Sequence, residues 1–212
     1  TRWLSDWSSD VCSSDLQDNN VRNEKMQNIL TTLNIEVDKS VIDKTFNQYI
    51  KQQLSLKYDG TVDKDVDAFT LDLKKELKKP ISEQRFPLYI AEKDGKTIYI
   101  VPLFGAGLWD AIWGYIALEE DKNTIIGAVF DHKSETPGLG AEIRESFFSN
   151  QFIGKKILKD ANLGFTSEGN YVSVAVIKGG TPDENLHGVD GISGGTITCD
   201  AVSKMVEERL SN

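Results

Sequence analysis

Three glycine-bearing runs hold most of the residues in this 212-residue chain whose types and spacing could do chemistry. The densest is His187-Gly188-Val189-Asp190-Gly191-Ile192-Ser193-Gly194-Gly195-Thr196-Ile197-Thr198. It leads directly into Thr198 to Leu210, where Ala201, Val202, Met205, Val206 and Leu210 fall at helical spacing. A helix N-terminus presents unpaired N–H groups and the positive end of the helix dipole. That arrangement suits a phosphate. The same residues also read as a hydroxyl-rich N-cap, with Ser193, Thr196 or Thr198 as the capping oxygen. Physics alone leaves these two readings equal.

The second run is Ser134-Glu135-Thr136-Pro137-Gly138-Leu139-Gly140. Pro137 fixes φ, while Gly138 and Gly140 permit unusual backbone angles, so the loop has a specified shape. Glu135 and Thr136 are polar groups on that frame, as expected of a ligand-contacting loop. The third run is Gly105-Ala106-Gly107-Leu108-Trp109, too glycine-rich for an element interior. Its G-x-G lacks a following βαβ unit, so a dinucleotide fingerprint is rejected. It reads either as a tight crossing between strands or as a pocket wall.

The elements that must position these loops follow from hydrophobic period. Val21, Met26, Ile29, Leu30 and Leu33 lie on one face of a helix ending at Asn34-Ile35-Glu36. Val41, Ile42, Phe46, Ile50 and Leu54 give a second helix over 41–54. Tyr58-Asp59-Gly60 is a turn, and the Lys-rich run from Lys74 to Lys79 is a solvated face closed by Pro80. From Phe86 the pattern becomes β. Leu88 to Ala91 and Thr97 to Val101 form a hairpin across Asp94-Gly95. Tyr115 to Leu118 and Thr124 to Phe130 form another, joined by Glu120 to Asn123. Glu142 to Asn150 reads as a short helix, and Tyr171 to Ile177 as a strand. The expected fold class is α+β: N-terminal helices, a mostly antiparallel sheet, and a C-terminal helix packed on it.

Composition narrows function. Acids outnumber bases 33 to 24, for a net charge of −9, which excludes nucleic acid as a partner because no basic field gathers phosphates. Two Cys and two His exclude zinc-ribbon and disulfide-scaffold readings. No metal site is expected. No run approaches ~18 consecutive apolar residues. Residues 1–16, with Ser-Asp recurring at Ser5-Asp6, Ser9-Asp10 and Ser14-Asp15, fit neither period. They resemble a translated sequencing adapter rather than a signal peptide, and are set aside as non-native. That leaves Cys199 without Cys12, so no disulfide is inferred.

The run Asp190-Gly191-Ile192-Ser193-Gly194-Gly195-Thr196 is similar to the D-G-x-S-G-A-T signature of covalent FMN proteins. In that family a flavin transferase joins the FMN phosphate to the closing threonine, here Thr196, as a phosphoester. The Glu135 to Gly140 loop, and Gly105 to Trp109 followed by Gly114-Tyr115, also resemble this family's pattern. Within it, they resemble the C subunits of bacterial sodium-translocating NADH:quinone oxidoreductases. Gly195 stands where Ala is usual, and Cys199 where a small hydroxyl residue is common.

The resemblance implies covalent FMN as a one-electron relay, other subunits of a membrane oxidoreductase as partners, and a transferase for maturation. No residue of the chain is expected to be catalytic. Ser193, Gly194, Gly195 and Thr198 would line the phosphate's approach. Glu135, Thr136, Leu139 and Gly140 would border the flavin. It further implies residues 17–80 as an N-terminal helical region and 81–212 as the FMN-binding domain. It also implies a native anchor helix missing here, at the bacterial inner membrane, with the FMN domain on the periplasmic side. The alternatives are the homologous subunit of the Rnf complex, with ferredoxin and NAD as redox partners, and a flavin-free assembly module. His132 and His187 are read as structural, Asp190 as a recognition residue for the transferase, and Trp109 and Trp113 as core or contact residues.

Overall fold

The computed structural model describes residues 7–211. Strands β1 (Ile50–Lys57), β2 (Arg85–Lys93), β3 (Lys96–Ala106), β4 (Ala111–Leu118) and β5 (Ile125–His132) form an antiparallel sheet in sequence order. Helices α1 (Trp7–Thr32) and α2 (Ile42–Tyr49) cover one face. The other face carries the chain from residue 141 to 177 and the last helix, here α5 (Thr196–Leu210). Two short helices, α3 (Leu73–Glu76) and α4 (Ser146–Ser149), sit in the connections. A parallel pair, β6 (Ala175–Ile177) and β7 (Gly188–Asp190), lies apart from the main sheet. The α+β class and the mostly antiparallel sheet match the expectation.

Strand alternation explains the three layers. On β3, Ile98 and Ile100 face α1 and α2, whereas Leu103 belongs to the α5 side. On β4, Tyr115 and Ala117 face the first layer, and Ile112, Ile116 and Leu118 the second. The β2–β3 hairpin turns at Asp94 (φ 53°) and Gly95 (φ 76°), the left-handed pair that this dipeptide supplies cheaply. The β4–β5 turn is held by Asp121, whose carboxylate accepts from the backbone of Asn123 and Thr124.

Several local expectations need correction. The helical backbone of α1 starts at Trp7, inside the stretch set aside, and Val21 is exposed while Met26, Ile29, Leu30 and Leu33 are buried. Helix α2 stops at Tyr49, because Ile50 to Lys57 pair with β2 as an edge strand, for instance Leu54 opposite Leu88. Residues 17–80 are therefore not purely helical. Phe104, Gly105 and Ala106 lie inside β3. Gly105 tolerates that place because α5 passes close by: a Cβ there would lie 3.0 Å from Met205 Cβ. The segment from Glu142 to Asn150 is two 3-10 turns around α4. Only Ala175–Ile177 of the 171–177 run is strand, because Ser173 at φ 60° breaks the extended chain.

Gly127 on β5 meets the end of α1: a Cβ would fall 1.9 Å from the carbonyl oxygen of Thr32. Backbone cannot yield as a flexible side chain can. We expect Gly127→Ala to destabilise the protein by about 3 kcal/mol or more, read from urea unfolding; an unchanged midpoint contradicts this contact.

Lys25 is the costly polar group of the first layer. Its Nζ donates to the Phe69 carbonyl and lies 4.7 Å from the Phe69 ring centroid. Burial pushes its pKa down to about 8, although Asp67 and Asp72 oppose the shift. An unfolded lysine titrates near ~10.4. The unfolded chain thus binds more protons between those values, so this group's contribution to stability rises with pH from about 8 upward. The stability of wild type relative to Lys25→Met should climb across that window. A pH-independent difference rules the assignment out.

Candidate functional site

The site forms where three chain segments meet at one end of the sheet. Gly107 N–H donates to Asp110 O, closing the β3–β4 turn. Beyond β5, residues 134–140 form a tight loop in which Thr136 O accepts from Leu139 and Ala141. Gly138 has φ 75°, which demands glycine, and its N–H donates to Glu142 Oε1. The third segment is the 190–195 turn into α5.

A buried carboxylate ties these segments together. Glu135 is 4% exposed and Thr198 1%. Glu135 Oε2 accepts from Thr198 Oγ1 at 2.6 Å, and Oε1 accepts from Trp109 N at 3.0 Å. Glu135 N donates to His132 Nδ1, and Trp109 Nε1 to Thr136 Oγ1. Two glycines leave space for this clamp. A Cβ on Gly140 would lie 2.3 Å from Thr198 Oγ1, and one on Gly107 would lie 2.5 Å from Glu135 Oε1.

Helix α5 begins at Thr196, two residues earlier than its apolar spacing indicates. Gly195 is its N-cap and no side chain caps it. The N-cap reading is therefore not met: Thr198 turns inward to Glu135 instead of back to the helix start. The first-turn N–H groups keep their capacity for an anion. Gly194, at φ 74°, makes the turn, and its missing Cβ leaves room for Leu139.

Thr196 borders two clefts. The larger, about 440 Å³, is lined by Lys178, Gly180, Asp190, Ser193, Gly194 and Thr196, among others. The smaller, about 210 Å³, is lined by Leu108, Glu135, Thr136, Leu139, Gly140, Gly194, Gly195, Thr196, Ile197 and Thr198. All nine residues singled out in the sequence thus line one or both. Ser193 faces only the larger. Leu108, from the run read as a possible pocket wall, lines the smaller cleft, whereas Lys178 and Ile197 were not singled out in the sequence. A cation just before Gly179-Gly180 was the available signal for Lys178.

Asp190 Oδ1 accepts from Thr181 N, and His187 Nδ1 is 2.7 Å from Lys156 O. Cys199 is a free, buried thiol whose Sγ accepts from Ile192 N; burial pushes its pKa up. Trp109 is two-thirds exposed at the β3–β4 turn. Among the described residues no cluster of His, Cys, Asp or Glu could hold a metal, and no helix is long and apolar enough to cross a membrane.

Strands β4 and β5 of the antiparallel sheet, the shaped 134–140 loop and the Ser-Gly-Gly-Thr start of α5 all lie within residues 107–211, which match the FMN-binding domain family. The chain is 30% identical over 210 residues to the C subunit of the Na(+)-translocating NADH-quinone reductase of Vibrio campbellii (strain ATCC BAA-1116), covering 89% of this chain and 77% of that protein. The crystal structure of the corresponding protein from Parabacteroides distasonis superposes with a TM-score of 0.81 at 42% identity, covering 92% of each chain. Shewanella oneidensis NqrC superposes with a TM-score of 0.75 at 27% identity, over 88% of this chain and 90% of that one. The chain belongs to the family of Na(+)-translocating NADH-quinone reductase C subunits.

Glu135→Ala would strand the Trp109 N–H and the Thr198 hydroxyl. We expect a loss of about 2–4 kcal/mol. Glu135→Gln keeps one acceptor for Trp109 and offers Thr198 a donor, so it should cost about half as much or less. Equal losses in urea unfolding would refute the clamp.

Proposed function

We propose that the chain is the FMN-carrying electron-transfer subunit of a respiratory sodium-pumping NADH:quinone oxidoreductase, with FMN esterified through its phosphate to Thr196 Oγ1. The observation that carries this is the position of Thr196: first residue of an uncapped helix, between two clefts, with glycines on both sides of the approach. The residues fit a phosphoester. Backbone N–H groups of the first turn would hold the phosphate, and Gly194 and Gly195 would present no side chain to it. Lys178 adds a cation to the larger cleft.

When bound, FMN supplies one-electron transfer. The chain holds and orients it. Glu135, locked by the Trp109 and Thr198 donors, fixes the loop whose Thr136, Leu139 and Gly140 border the smaller cleft. Electron transfer needs no general base, and Glu135 has both oxygens already engaged. The fold matches that of the family's C subunits over nearly the whole chain, which supports other subunits of a membrane complex as partners. On the same reading, a flavin transferase forms the ester, the native protein is anchored at the bacterial inner membrane, and the FMN domain faces the periplasm. Residues 1–16 remain, on this reading, a non-native stretch.

The test is intact mass after co-expression with a flavin transferase. The wild-type chain should gain the mass of FMN less one water. Thr196→Ala should gain nothing and, since Thr196 caps no helix, should lose less than about 1 kcal/mol of stability. Flavin fluorescence that persists on denatured Thr196→Ala would transfer the attachment elsewhere, first to Ser193 or Thr198. A wild-type chain that gains no mass beside an active transferase would favour the flavin-free reading.

A further inference from the structure

The C-terminal end of α5 closes a second and chemically different cleft, of about 310 Å³, on the same face of the sheet. Its walls are mostly apolar, aliphatic residues such as Leu88, Val101 and Leu210 alternating with the rings of Phe86, Tyr99 and Phe165. Two cations enter it. The Arg209 guanidinium carbon lies 5.8 Å from the Phe86 ring centroid, and Lys122 Nζ lies 5.3 Å from that of Tyr99. Among the described residues no acidic side chain lines the cleft, although the chain carries a net charge of −9.

Arg209 is the unusual group. Its side chain is only 10% exposed, yet Nε and Nη1 have no hydrogen-bond partner. Glu208 forms an ion pair with Nη2 at 3.7 Å, too long for a hydrogen bond, so the charge has a neighbour while the Nε and Nη1 donors stay unused. A buried guanidinium with unused donors is costly unless an acceptor completes it. Aromatic faces satisfy the cation in part but accept no strong N–H bond. An anionic oxygen joined to an apolar body would suit both the unused donors and the walls.

We propose that this cleft binds an amphipathic carboxylate of the fatty-acid type, its head at Arg209 and its chain along Phe86, Leu88, Tyr99 and Val101. Carboxylate matches the charge and the donors of a guanidinium. An alkyl chain matches the walls, and the volume sits at the low end for small-ligand pockets of about 300–1,000 Å³. Lys122, exposed at the rim, adds attraction at longer range. The unliganded protein bears the cost of the desolvated cation, and burial accordingly holds the Arg209 pKa below its ordinary value.

Calorimetric titration of the full chain with decanoate, below its micellar concentration, tests this. One decanoate should bind saturably per chain. Decanol, with the same tail and no charge, should bind at least tenfold more weakly. Arg209→Met should weaken decanoate at least tenfold while unfolding no earlier than the wild type, because a thioether replaces a buried guanidinium two of whose nitrogens make no hydrogen bond. Should Arg209→Met fail to fold, the decanoate–decanol comparison and the exposed Lys122→Gln variant, expected to weaken decanoate several-fold, still decide. Absence of saturable decanoate binding, equal binding of decanol, or undiminished binding to folded Arg209→Met overturns the proposal. An acidic peptide that binds where decanoate does not would overturn it in favour of a protein contact.

Discussion

The hydrogen bond from Thr198 to Glu135 sets the geometry of the whole attachment end. It joins residues 63 positions apart and is buried from water. In an α-helix successive residues rotate by about 100°. Turning Thr198 inward therefore turns Thr196 roughly to the opposite side, toward the clefts, and leaves Ile197 exposed. The same phase buries Cys199, Val202 and Val206 against the sheet. One carboxylate thus fixes the register in which α5 presents its first residue. Any rotation that freed Thr198 would also lift the apolar stripe off the core.

The sheet explains how such distant residues meet. In an antiparallel meander, the end of β3, the start of β4 and the end of β5 fall at one edge, as the pairing of Ala106 with Ala111 and of Ile112 with His132 shows. The two loops that leave that edge carry Trp109 and Glu135. Helix α5 returns across β3, lying close enough over Gly105 that a side chain there would strike Met205. The glycines in this region therefore do different tasks. Gly105, Gly107 and Gly140 vacate space for packing, whereas Gly138 and Gly194 supply positive φ.

Much of this was legible in the sequence where the signal was local. Asp94-Gly95 announced its hairpin, Pro137 with Gly138 a shaped loop, and the Ser-Gly-Gly-Thr run a special helix start. Illegible features depended on partners far along the chain. Ile50 to Lys57 carries helical spacing but is claimed by β2, because ladder pairing outweighs a weak propensity. Val21 fits the apolar face of α1 in spacing, yet it lines open clefts instead of packed core and stays exposed. The role of Glu135 as a clamp, rather than only a border of the pocket, required knowing that Thr198 sits opposite. The missing hydrogen bonds at Arg209 Nε and Nη1 have no sequence signature, since they depend on which strands and loops close over the end of α5.

Helix α5 carries the proposed attachment residue at its first position and Arg209 in its last turn, about 20 Å apart at 1.5 Å per residue. That separation exceeds twice the Debye length of about 8 Å at physiological salt, although buried charges are screened less than exposed ones. Direct electrostatic coupling between the two ends is therefore weak. A mechanical route exists, because α5 is one rigid rod held against β3 by the Gly105–Met205 contact and at its start by Glu135. Any displacement of Arg209 along the helix axis would have to strain that buried hydrogen bond. The clamp that orients Thr196 consequently also insulates it from events at the far end of the helix.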